Sequence, residues 1–274
     1  MTSEIKNARA SIIVYTDHFN KRIRIDDYSG DQNGVLELIS ESTPDWTQKL
    51  IIKARTPELA FFLENGFLKE AFVKGYFNGM DMHFVVKYLS ETRSTNTKQS
   101  DEQKIIGKLL KEQIESNKTD TQLVSLATPK DANDLANIYA SIFKVYPTPL
   151  DQSDYVRKTM QEGTVYVVIR EQHKIISVAS AEINRKYSNA ELTDCATLPE
   201  AQGKGHMKKL LSKLEEVLLN QKIHCLYTIA RSESYGMNKA FYQLGYTYAG
   251  QMINNCFIYS GLEDMNVWYK WIGS

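Results

Sequence analysis

The sequence predicts an α+β protein built from two successive halves: a smaller α/β half, and a second half with helices packed on a central mixed, mostly antiparallel sheet. Three observations lead to this prediction. The 274 residues are enough for two compact domains with separate cores. β-branched runs and amphipathic segments follow one another in a similar order in both halves, and a polar stretch without core residues, 92–100, separates them. We therefore expect an N-terminal domain at 1–90, a linker with an amphipathic helix at 91–121 and a second domain at 122–274.

Charge and cysteine content exclude several classes of protein. The chain has 33 basic and 33 acidic residues, which argues against a general binder of nucleic acids or anionic membranes. Its three cysteines, Cys195, Cys225 and Cys256, form no C-x-x-C pair, and its five histidines show no metal-ligand spacing. The sequence has no apolar run long enough to span a membrane and no hydrophobic region typical of a signal peptide. We expect a cytoplasmic protein with no bound metal, no nucleic-acid partner and no membrane contact.

The first half is expected to run strand, strand, helix, strand, helix, strand, strand. β-branched runs predict the strands, and apolar residues at helical spacing predict the helices. Pro57 is typical of the first turn of a helix, and Asn65-Gly66 is typical of its C-terminal cap. The expected strands are 11–15, 22–25, 49–54, 71–76 and 82–89, and the first helix follows a turn at 28–31.

The linker and the second half continue this alternation. A linker helix is expected at 101–115, where isoleucine and leucine recur at helical spacing. Asp131 is expected to help start the first helix of the second half. The expected strands are 122–127, 165–170, 175–183, 191–198, 225–230, 246–252 and 265–271, and the expected helices are 132–145, one after Pro149, one that follows the turn near 205 and runs to about 220, and 235–244.

The segment 191–211 has the pattern of a strand, a glycine turn and a helix. The strand stops at Pro199, the turn is Gln202-Gly203-Lys204-Gly205, and an amphipathic helix follows. Glycines leave backbone N–H groups open to a ligand, and a helix N-terminus adds unpaired donors. With three lysines around the turn, the segment is a candidate phosphate site, although an ordinary strand-to-helix connection has the same pattern.

The two halves share a short, gapped repeat. Leu50–Arg55 resembles Leu226–Arg231, and Phe62–Phe67 resembles Phe241–Tyr246. We interpret this as a duplication, and independent convergence of two α+β halves is the alternative. In the first copy the place of the glycine turn falls in 26–31, which contains three aspartates and no lysine and would repel phosphate. The first copy is therefore expected to bind no phosphate ligand.

The second half, roughly residues 123–272, resembles the GNAT superfamily of acyl-CoA-dependent N-acetyltransferases. The family motif Q/R-x-x-G-x-G/A is matched by Gln202 to Met207, with Met207 where a small residue is customary. The segment Phe241 to Tyr246 resembles a family helix with F-Y-x-x-x-G-F/Y. The resemblance implies the GNAT acyl-CoA N-acyltransferase fold for this half, preceded by a smaller, degenerate GNAT-like half.

A narrower resemblance, to the beta-lysine N6-acetyltransferase family, rests on 194–199, Ile253–Cys256 and Gly261–Lys270. It implies acetyl-CoA as co-substrate, a small-molecule amine as partner, and transfer of the acetyl group to the distal amine of beta-lysine. The product would be N6-acetyl-beta-lysine, a compatible solute. The residues implied in cofactor binding are Cys195, Ala196, Thr197, Leu198, Gln202, Gly203, Lys204, Gly205, His206, Met207 and Lys208.

The GNAT resemblance also implies catalytic roles. An alkyl ammonium has a pKa of about 10 and must lose a proton before it attacks a thioester. Glu191 stands where members of the superfamily carry a catalytic glutamate, and a solvated Glu191 with a chain of water molecules as the base is the alternative. Tyr242 is implied as the acid that protonates the leaving thiolate, with an aromatic packed in the core as the alternative.

Other acidic and basic residues are candidates for binding the substrate. Glu182 and Asp194 are alternative bases or partners of the substrate ammonium, and the pair Glu263-Asp264 is a candidate partner of a dibasic substrate or a solvated turn. Arg55 and Arg231 end the repeated strands and are candidates for the substrate carboxylate, with structural salt bridges as the alternative.

Cys195 and the overall function leave alternatives open. Cys195 is a candidate acetyl acceptor in a ping-pong route, but we favour a small buried hydrophobe and direct transfer in a ternary complex. Two other functions compete: a GNAT that acetylates another small amine, a protein lysine or a protein N-terminus, and a non-catalytic binding protein. The oligomeric state is open, with a homodimer as one of the states, and so is the role of the N-terminal domain.

Overall fold

The computed structural model describes residues 2–96, 99–114, 119–258 and 261–272. The strands are β1 (Thr2–Lys6), β2 (Ala10–Asp17), β3 (Arg22–Gly30), β4 (Lys49–Arg55), β5 (Leu68–Phe77), β6 (Met80–Tyr88), β7 (Val124–Leu126), β8 (Val165–Glu171), β9 (Lys174–Asn184), β10 (Asn189–Thr197), β11 (Cys225–Arg231), β12 (Thr247–Ile258) and β13 (Gly261–Trp271). The helices are α1 (Gln32–Ser42), α2 (Leu59–Glu64), α3 (Glu91–Ser94), α4 (Gln99–Leu109), α5 (Ala132–Ile142), α6 (Ser153–Gln161), α7 (His206–Asn220) and α8 (Tyr235–Gln243).

Within these ranges all thirteen strands form one sheet, in the order β1-β2-β3-β4-β6-β5-β12-β13-β11-β10-β9-β8-β7. The two halves meet near its centre, where β5 pairs antiparallel with β12 at Ala71 and Gly250. Gly250 has φ +126°, and a Cβ at this position would lie 2.4 Å from the carbonyl oxygen of Glu70. The junction therefore requires a glycine.

The two halves have the same strand order, reversed across this junction. The first runs β2-β3-β4-β6-β5 with β3 and β4 parallel, and the second runs β9-β10-β11-β13-β12 with β10 and β11 parallel. In each half one helix follows the second of these strands and another follows the third, so α1 corresponds to α7 and α2 to α8. This correspondence supports the duplication, which we propose as the origin of the two halves.

The apolar core has three parts. Helices α1 and α2 cover one face of the first half around Ile12 and Phe62, and α5, α7 and α8 cover the second half around Leu192 and Leu214. The third part contains strand residues from both halves and extends across their junction. None of the helices in the described ranges is long and apolar enough to cross a membrane.

The predicted order of elements is confirmed for the described residues, with several corrected bounds. The sequence does not predict β1, whose residues are almost all exposed and carry no apolar alternation. Strand β3 continues to Gly30, so the predicted turn shrinks to Asp31. The linker helix α4 ends at Leu109 instead of at the predicted residue 115, and Glu115 lies outside the described residues.

Candidate active site

Strand β10 carries a bulge. Its pairing with β9 shifts between Thr193 and Ala196, so the two residues between them oppose a single residue of β9. One of these two, Asp194, has φ +49°, and the hydroxyl of Tyr139 donates to its carbonyl at 3.0 Å. A bulge bends its strand and interrupts the ladder, so β10 changes direction at this point.

Strands β10 and β11 separate near the bulge. Within the described residues their parallel ladder ends at the pair Glu191–Tyr227, although both strands continue. The gap opens into a cavity of about 670 Å³. Its walls include Leu192 to Thr197 of β10, Gln202, Gly203 and Gly205 to Lys208 of the turn and α7, Thr228 to Arg231 of β11, and Lys239 to Phe241 and Gln243 of α8.

The glycine turn leaves room for a ligand in front of α7. Gly203 and Gly205 have φ +76° and +73°, and a Cβ built on either would have no described atom within 4 Å. Gly205 is the N-cap of α7, where the first backbone N–H groups have no acceptor within the helix. Lys208 lines the cavity and Lys204 is exposed on the turn. Open donors, positive charge and free space together form a cradle suited to a phosphate group.

Nine of the eleven residues predicted to bind the cofactor line this cavity. The exceptions are Leu198, which is buried in the core, and Lys204. The side-chain amide of Gln202 donates to the carbonyl of Thr197 at 3.2 Å and so closes the turn. Burial and nearby lysines lower the pKa of His206, so its ring is neutral at pH 7. The structure brings the predicted set together, and its binding role stays a prediction.

Cys195 lines the cavity as a protonated thiol. Burial, with a smaller contribution from Asp194, raises the pKa of Cys195 above its ordinary value. Its Sγ lies 3.6 Å from the carbonyl oxygen of Thr193. The thiolate is the nucleophilic form of cysteine, so this environment favours a small apolar role over an acetyl acceptor.

The contacts of Tyr242 argue against the acid role expected for it and favour the alternative of an aromatic packed against the core. Its hydroxyl donates to the carbonyl of Glu112 at 3.0 Å and lies 3.3 Å from that of Leu110, both in the linker after α4. The preceding residue, Phe241, lines the cavity in its place. The sequence contains the reason: only two residues separate Tyr242 from Gly245, whereas the family motif has three, so the position four residues before the glycine is Phe241. On a helix, a shift of one position turns the side-chain direction by about 100°. The Tyr242 hydroxyl therefore points to the linker, and this favours another source for the proton of the leaving thiolate.

Glu191 and Glu182 are direct neighbours on adjacent strands. They form a cross-strand pair between β10 and β9, and Tyr227 is the partner of Glu191 on β11. Paired residues share a face of the sheet, so two carboxylates and a phenol form one row where β10 and β11 separate. The protein around the Glu182 carboxyl group and, after it, the charges of Glu191 and Asp194 raise the pKa of Glu182 to about 7. Part of the Glu182 side chain is nevertheless exposed to solvent. This row suits the removal of a proton from an amine near neutral pH.

Asp194 is held in the wall of the cavity. Its carboxylate accepts hydrogen bonds from the hydroxyls of Ser180 at 2.9 Å and Tyr146 at 3.1 Å. Burial, and to a smaller extent Glu191, raises the pKa of Asp194 to about 6, against the opposing effect of these two bonds. Asp194 is thus a fixed carboxylate that is mostly ionised at pH 7.

Glu263 and Asp264 have partners within the protein and are not among the described residues that line the cavity. Both are buried on β13. Glu263 pairs with Arg231 at 3.3 Å. Asp264 accepts hydrogen bonds from the backbone N–H of Asn254 at 2.6 Å and from the side chain of Asn96. These contacts argue against the expectation that the acidic pair binds a dibasic substrate, because both carboxylates join β13 to neighbouring segments.

The two arginines expected at the substrate carboxylate also have protein partners. Arg55 pairs with Asp27 at 2.5 Å and donates to the carbonyl of Tyr28 at 3.1 Å. Arg231 lines the cavity but pairs with Glu263. The structure thus favours the alternative of structural salt bridges.

The corresponding turn of the first half is closed. Only Asp31 connects β3 to α1, and its carboxylate accepts a hydrogen bond from the backbone N–H of Gly34 at 2.8 Å. A carboxylate at this position occupies a donor that a phosphate would need and repels the anion. This arrangement supports our proposal that the first half binds no phosphate ligand.

Sequence reasoning missed four side chains that shape this site: Tyr139, Tyr146, Ser180 and Tyr227. None belongs to a motif that the sequence displays. Their contacts depend on the bulge and on the register of β9, β10 and β11, which no local pattern reveals.

Comparison with known proteins agrees with this geometry. A model of the acetyltransferase (GNAT) family matches residues 132–246, which include the bulged strand, the glycine turn and α8. The N-acetyltransferase YodP of Bacillus subtilis is 34% identical over 273 residues, which are 98% of this chain and 99% of YodP. The chain belongs to the GNAT family. It is an N-acetyltransferase, and the GNAT motif and fold expected from the sequence are confirmed.

Other relatives of this GNAT protein include a beta-lysine N(6)-acetyltransferase of Methanosarcina mazei. It is 35% identical over 228 residues, which are 75% of this chain and 84% of the archaeal protein. Among solved structures, the phosphinothricin acetyltransferase of Sinorhizobium meliloti in complex with AcCoA has 20% identity and a TM-score of 0.49, and the match covers 56% of this chain and 90% of that one.

Proposed function

We propose that the protein transfers the acetyl group of acetyl-CoA directly to the distal amine of beta-lysine, and that the product, N6-acetyl-beta-lysine, serves as a compatible solute in the cytoplasm. The observation that carries the proposal is the cavity between β10 and β11, with a phosphate cradle at the start of α7. The Glu191–Glu182 pair lies where the strands separate and is not among the described residues that line the cavity. The archaeal relative named for this reaction supports the choice of amine.

The residues of the cavity fit an acyl-CoA. The backbone N–H groups at Gly203, Gly205 and the start of α7 would hold the pyrophosphate, with Lys208 beside them. Beyond Glu191 the edge of β10 that faces β11 has no ladder partner among the described residues, so its backbone groups are available to the amide groups of the pantetheine. A backbone N–H of Ala196 or Thr197 would polarise the thioester carbonyl.

Glu191 is our proposed base. It takes a proton from the distal ammonium of the amine, directly or through a water molecule, and Glu182 beside it passes the proton to solvent. The freed nitrogen attacks the thioester carbon, the C–N bond forms, the C–S bond breaks, and the nitrogen gives up its second proton to solvent. The thiolate then takes its proton from solvent, because the hydroxyl of Tyr242 is bound to the linker.

A panel of amines, assayed by thiol release, tests the proposal. Beta-lysine, α-lysine, spermidine, an aminoglycoside and a lysine-containing peptide are compared at a fixed acetyl-CoA concentration. We expect the kcat/KM for beta-lysine to exceed that of every other amine by roughly tenfold or more. Thiol release with another amine and none with beta-lysine would contradict the substrate assignment and leave the acetyltransferase chemistry intact. Faster release with the peptide would favour a protein substrate.

A further inference from the structure

Hydrogen bonds and an ion pair join the two halves at residues far from the β5–β12 junction, and we call the region between the facing strands the cleft. Asp27 on β3 accepts a hydrogen bond from the hydroxyl of Tyr187 at 2.6 Å and pairs with Lys186 at 2.6 Å, both in the turn between β9 and β10. Asn189, the first residue of β10, donates to the carbonyl of Tyr76 on β5 at 2.9 Å. These bonds join strands that are far apart in the sheet order. The sheet is therefore curved, with the first half opposite the catalytic half.

The correspondence of the halves places matching positions on the two walls of this cleft. Tyr15 and Arg24 form a cross-strand pair of β2 and β3, as Glu182 and Glu191 do on β9 and β10. Arg24 stands third in the β3–β4 ladder, and Glu191 stands third in the β10–β11 ladder. Where the catalytic half has a carboxylate, the first half has a guanidinium.

A chain of contacts connects the two walls. The ammonium of Lys53 on β4 lies 3.0 Å from the hydroxyl of Tyr76. The ring of Tyr76 lies 5.5 Å from that of Tyr227 in the catalytic half, measured between centroids. Tyr227 is the ladder partner of Glu191. The charged groups of β3 and β4 thus lie beside the row that contains the proposed base.

Arg24 presents a positive charge in this cleft. Its Nε and Nη2 donate to Asp26 at 2.6 and 3.1 Å, and a guanidinium has five N–H donors, so others remain. The Arg24 side chain is 26% exposed, whereas that of Lys53 is 9% exposed and its ammonium is held by Asp26 at 2.9 Å. Although burial lowers it, the pKa of Arg24 is raised by the charges of Asp26 and, more weakly, Glu191. The ladder position of Arg24 matches that of Glu191, and the contact between the Tyr76 and Tyr227 rings brings the two sets of strands together.

We infer that this cleft is the acceptor site and that Arg24 of the first half binds the carboxylate of the acceptor, while Glu191 and Glu182 receive its amine. The inference rests on the proposed acetyl transfer to a small amine and names the part of the protein that selects it. The first half then completes the active site of the second. An acceptor with a carboxylate at one end and an amine at the other spans the two walls with matching charges.

The arrangement predicts selection for amino acids over plain diamines. A diamine of the same length has no carboxylate to pair with the Arg24 guanidinium. A site that binds a charged group rejects an analogue that lacks this group. Arg24 is in this account a binding residue that contacts substrate and takes no part in proton transfer. Its loss should raise KM far more than it lowers kcat.

The test compares Arg24→Gln with the wild type on two acceptors, beta-lysine and its decarboxylated analogue 1,4-diaminopentane. Removing one partner of a partly buried charge pair costs enough to lower the kcat/KM for beta-lysine by roughly 30-fold or more. The value for 1,4-diaminopentane should stay within about threefold, and Arg24→Lys should restore part of the loss. Arg55→Gln is the matched control, because it also removes an arginine–aspartate pair of the first half, the one with Asp27. In this control the ratio of the two kcat/KM values should not change.

Each outcome decides the inference. The inference is overturned if Arg24→Gln lowers the kcat/KM equally for both acceptors or leaves the kcat/KM for beta-lysine unchanged. It is also overturned if the wild type prefers the diamine. If the wild type rejects beta-lysine but acetylates α-lysine, the proposed substrate is wrong. The same comparison is then made with α-lysine and 1,5-diaminopentane. A loss of kcat/KM on α-lysine alone in Arg24→Gln still supports the role of Arg24. Acetylation of protein amines alone would overturn the inference. The shift of the melting temperature by acetyl-CoA must be retained in Arg24→Gln, which shows that the variant is folded.

Discussion

The glycine cradle offers a prediction whose size follows from the structure. Gly205→Ala places a Cβ at a residue with φ +73°, in space where no described atom lies within 4 Å. The left-handed conformation costs a residue with a Cβ about 1–2 kcal/mol of stability. If the Cβ holds a phosphate group away from two backbone N–H donors, and each such charged hydrogen bond contributes about 1.5 kcal/mol, acetyl-CoA affinity falls by about 100-fold.

The matched control is Gly66→Ala at the end of α2. Gly66 has φ +83°, and the one described atom near a Cβ there is the Lys87 ammonium nitrogen at 3.9 Å. Both variants should lose similar stability. At a coenzyme concentration of 100 times the wild-type Kd, the ligand should stabilise wild type and Gly66→Ala by about 2.7 kcal/mol but Gly205→Ala by only about 0.4 kcal/mol. Calorimetric Kd values and thermal unfolding with and without acetyl-CoA measure this. Wild-type affinity in Gly205→Ala, or an equal loss in Gly66→Ala, would refute the assignment of the cradle.

Three further predictions concern individual side chains. Tyr242→Phe should keep kcat within about twofold at every pH, because its hydroxyl bonds to the linker; a loss that varies with pH would restore its role as an acid. Cys195→Ala should remain active and the wild type should give intersecting initial-velocity lines, whereas parallel lines in the wild type and an inactive Cys195→Ala would indicate a covalent route through this thiol. Burial and Asp264 raise the pKa of Glu102 to about 7. The protonated Glu102 side chain therefore contributes its full share to the free energy of unfolding below about pH 4.5, and this share is lost as the pH rises through 7. Denaturant unfolding should therefore show Glu102→Gln gaining about 1–3 kcal/mol over wild type between pH 5 and pH 8, and a difference independent of pH would contradict this reasoning.

The features predicted correctly from the sequence are local ones. A glycine turn before an amphipathic helix fixes the backbone of its own segment, so Gly203 and Gly205 could be assigned to a cradle without knowledge of the rest of the chain. The succession of strands and helices along the chain followed from the β-branched runs and the amphipathic segments. Glu191 was expected on the strand that enters the same motif, and it lies on that strand, one residue before the first residue of β10 that lines the cavity. Its role as base stays a prediction.

The features that sequence reasoning missed or misplaced depend on register and tertiary packing. The sequence resemblance implies that Tyr242 acts as the acid, but its spacing to Gly245 is one residue shorter than in the family motif. On a helix this difference directs its side chain to the linker instead of to the cavity. Glu263 and Asp264 look solvated in sequence, yet both are buried by neighbouring segments. Arg24 carries no motif at all. Its position opposite Glu191 becomes visible only when the two halves are aligned through their parallel ladders.

The position of the acetyl group in the product tests the central claim most directly. The enzyme is incubated with beta-lysine and acetyl-CoA that carries ¹³C at the acetyl carbonyl, and the product is examined by NMR. We expect the labelled carbonyl to couple to the methylene protons next to the distal nitrogen, in an amount equal to the thiol released. Coupling to the proton at the other amine-bearing carbon, or thiol release without a labelled amide, would contradict it.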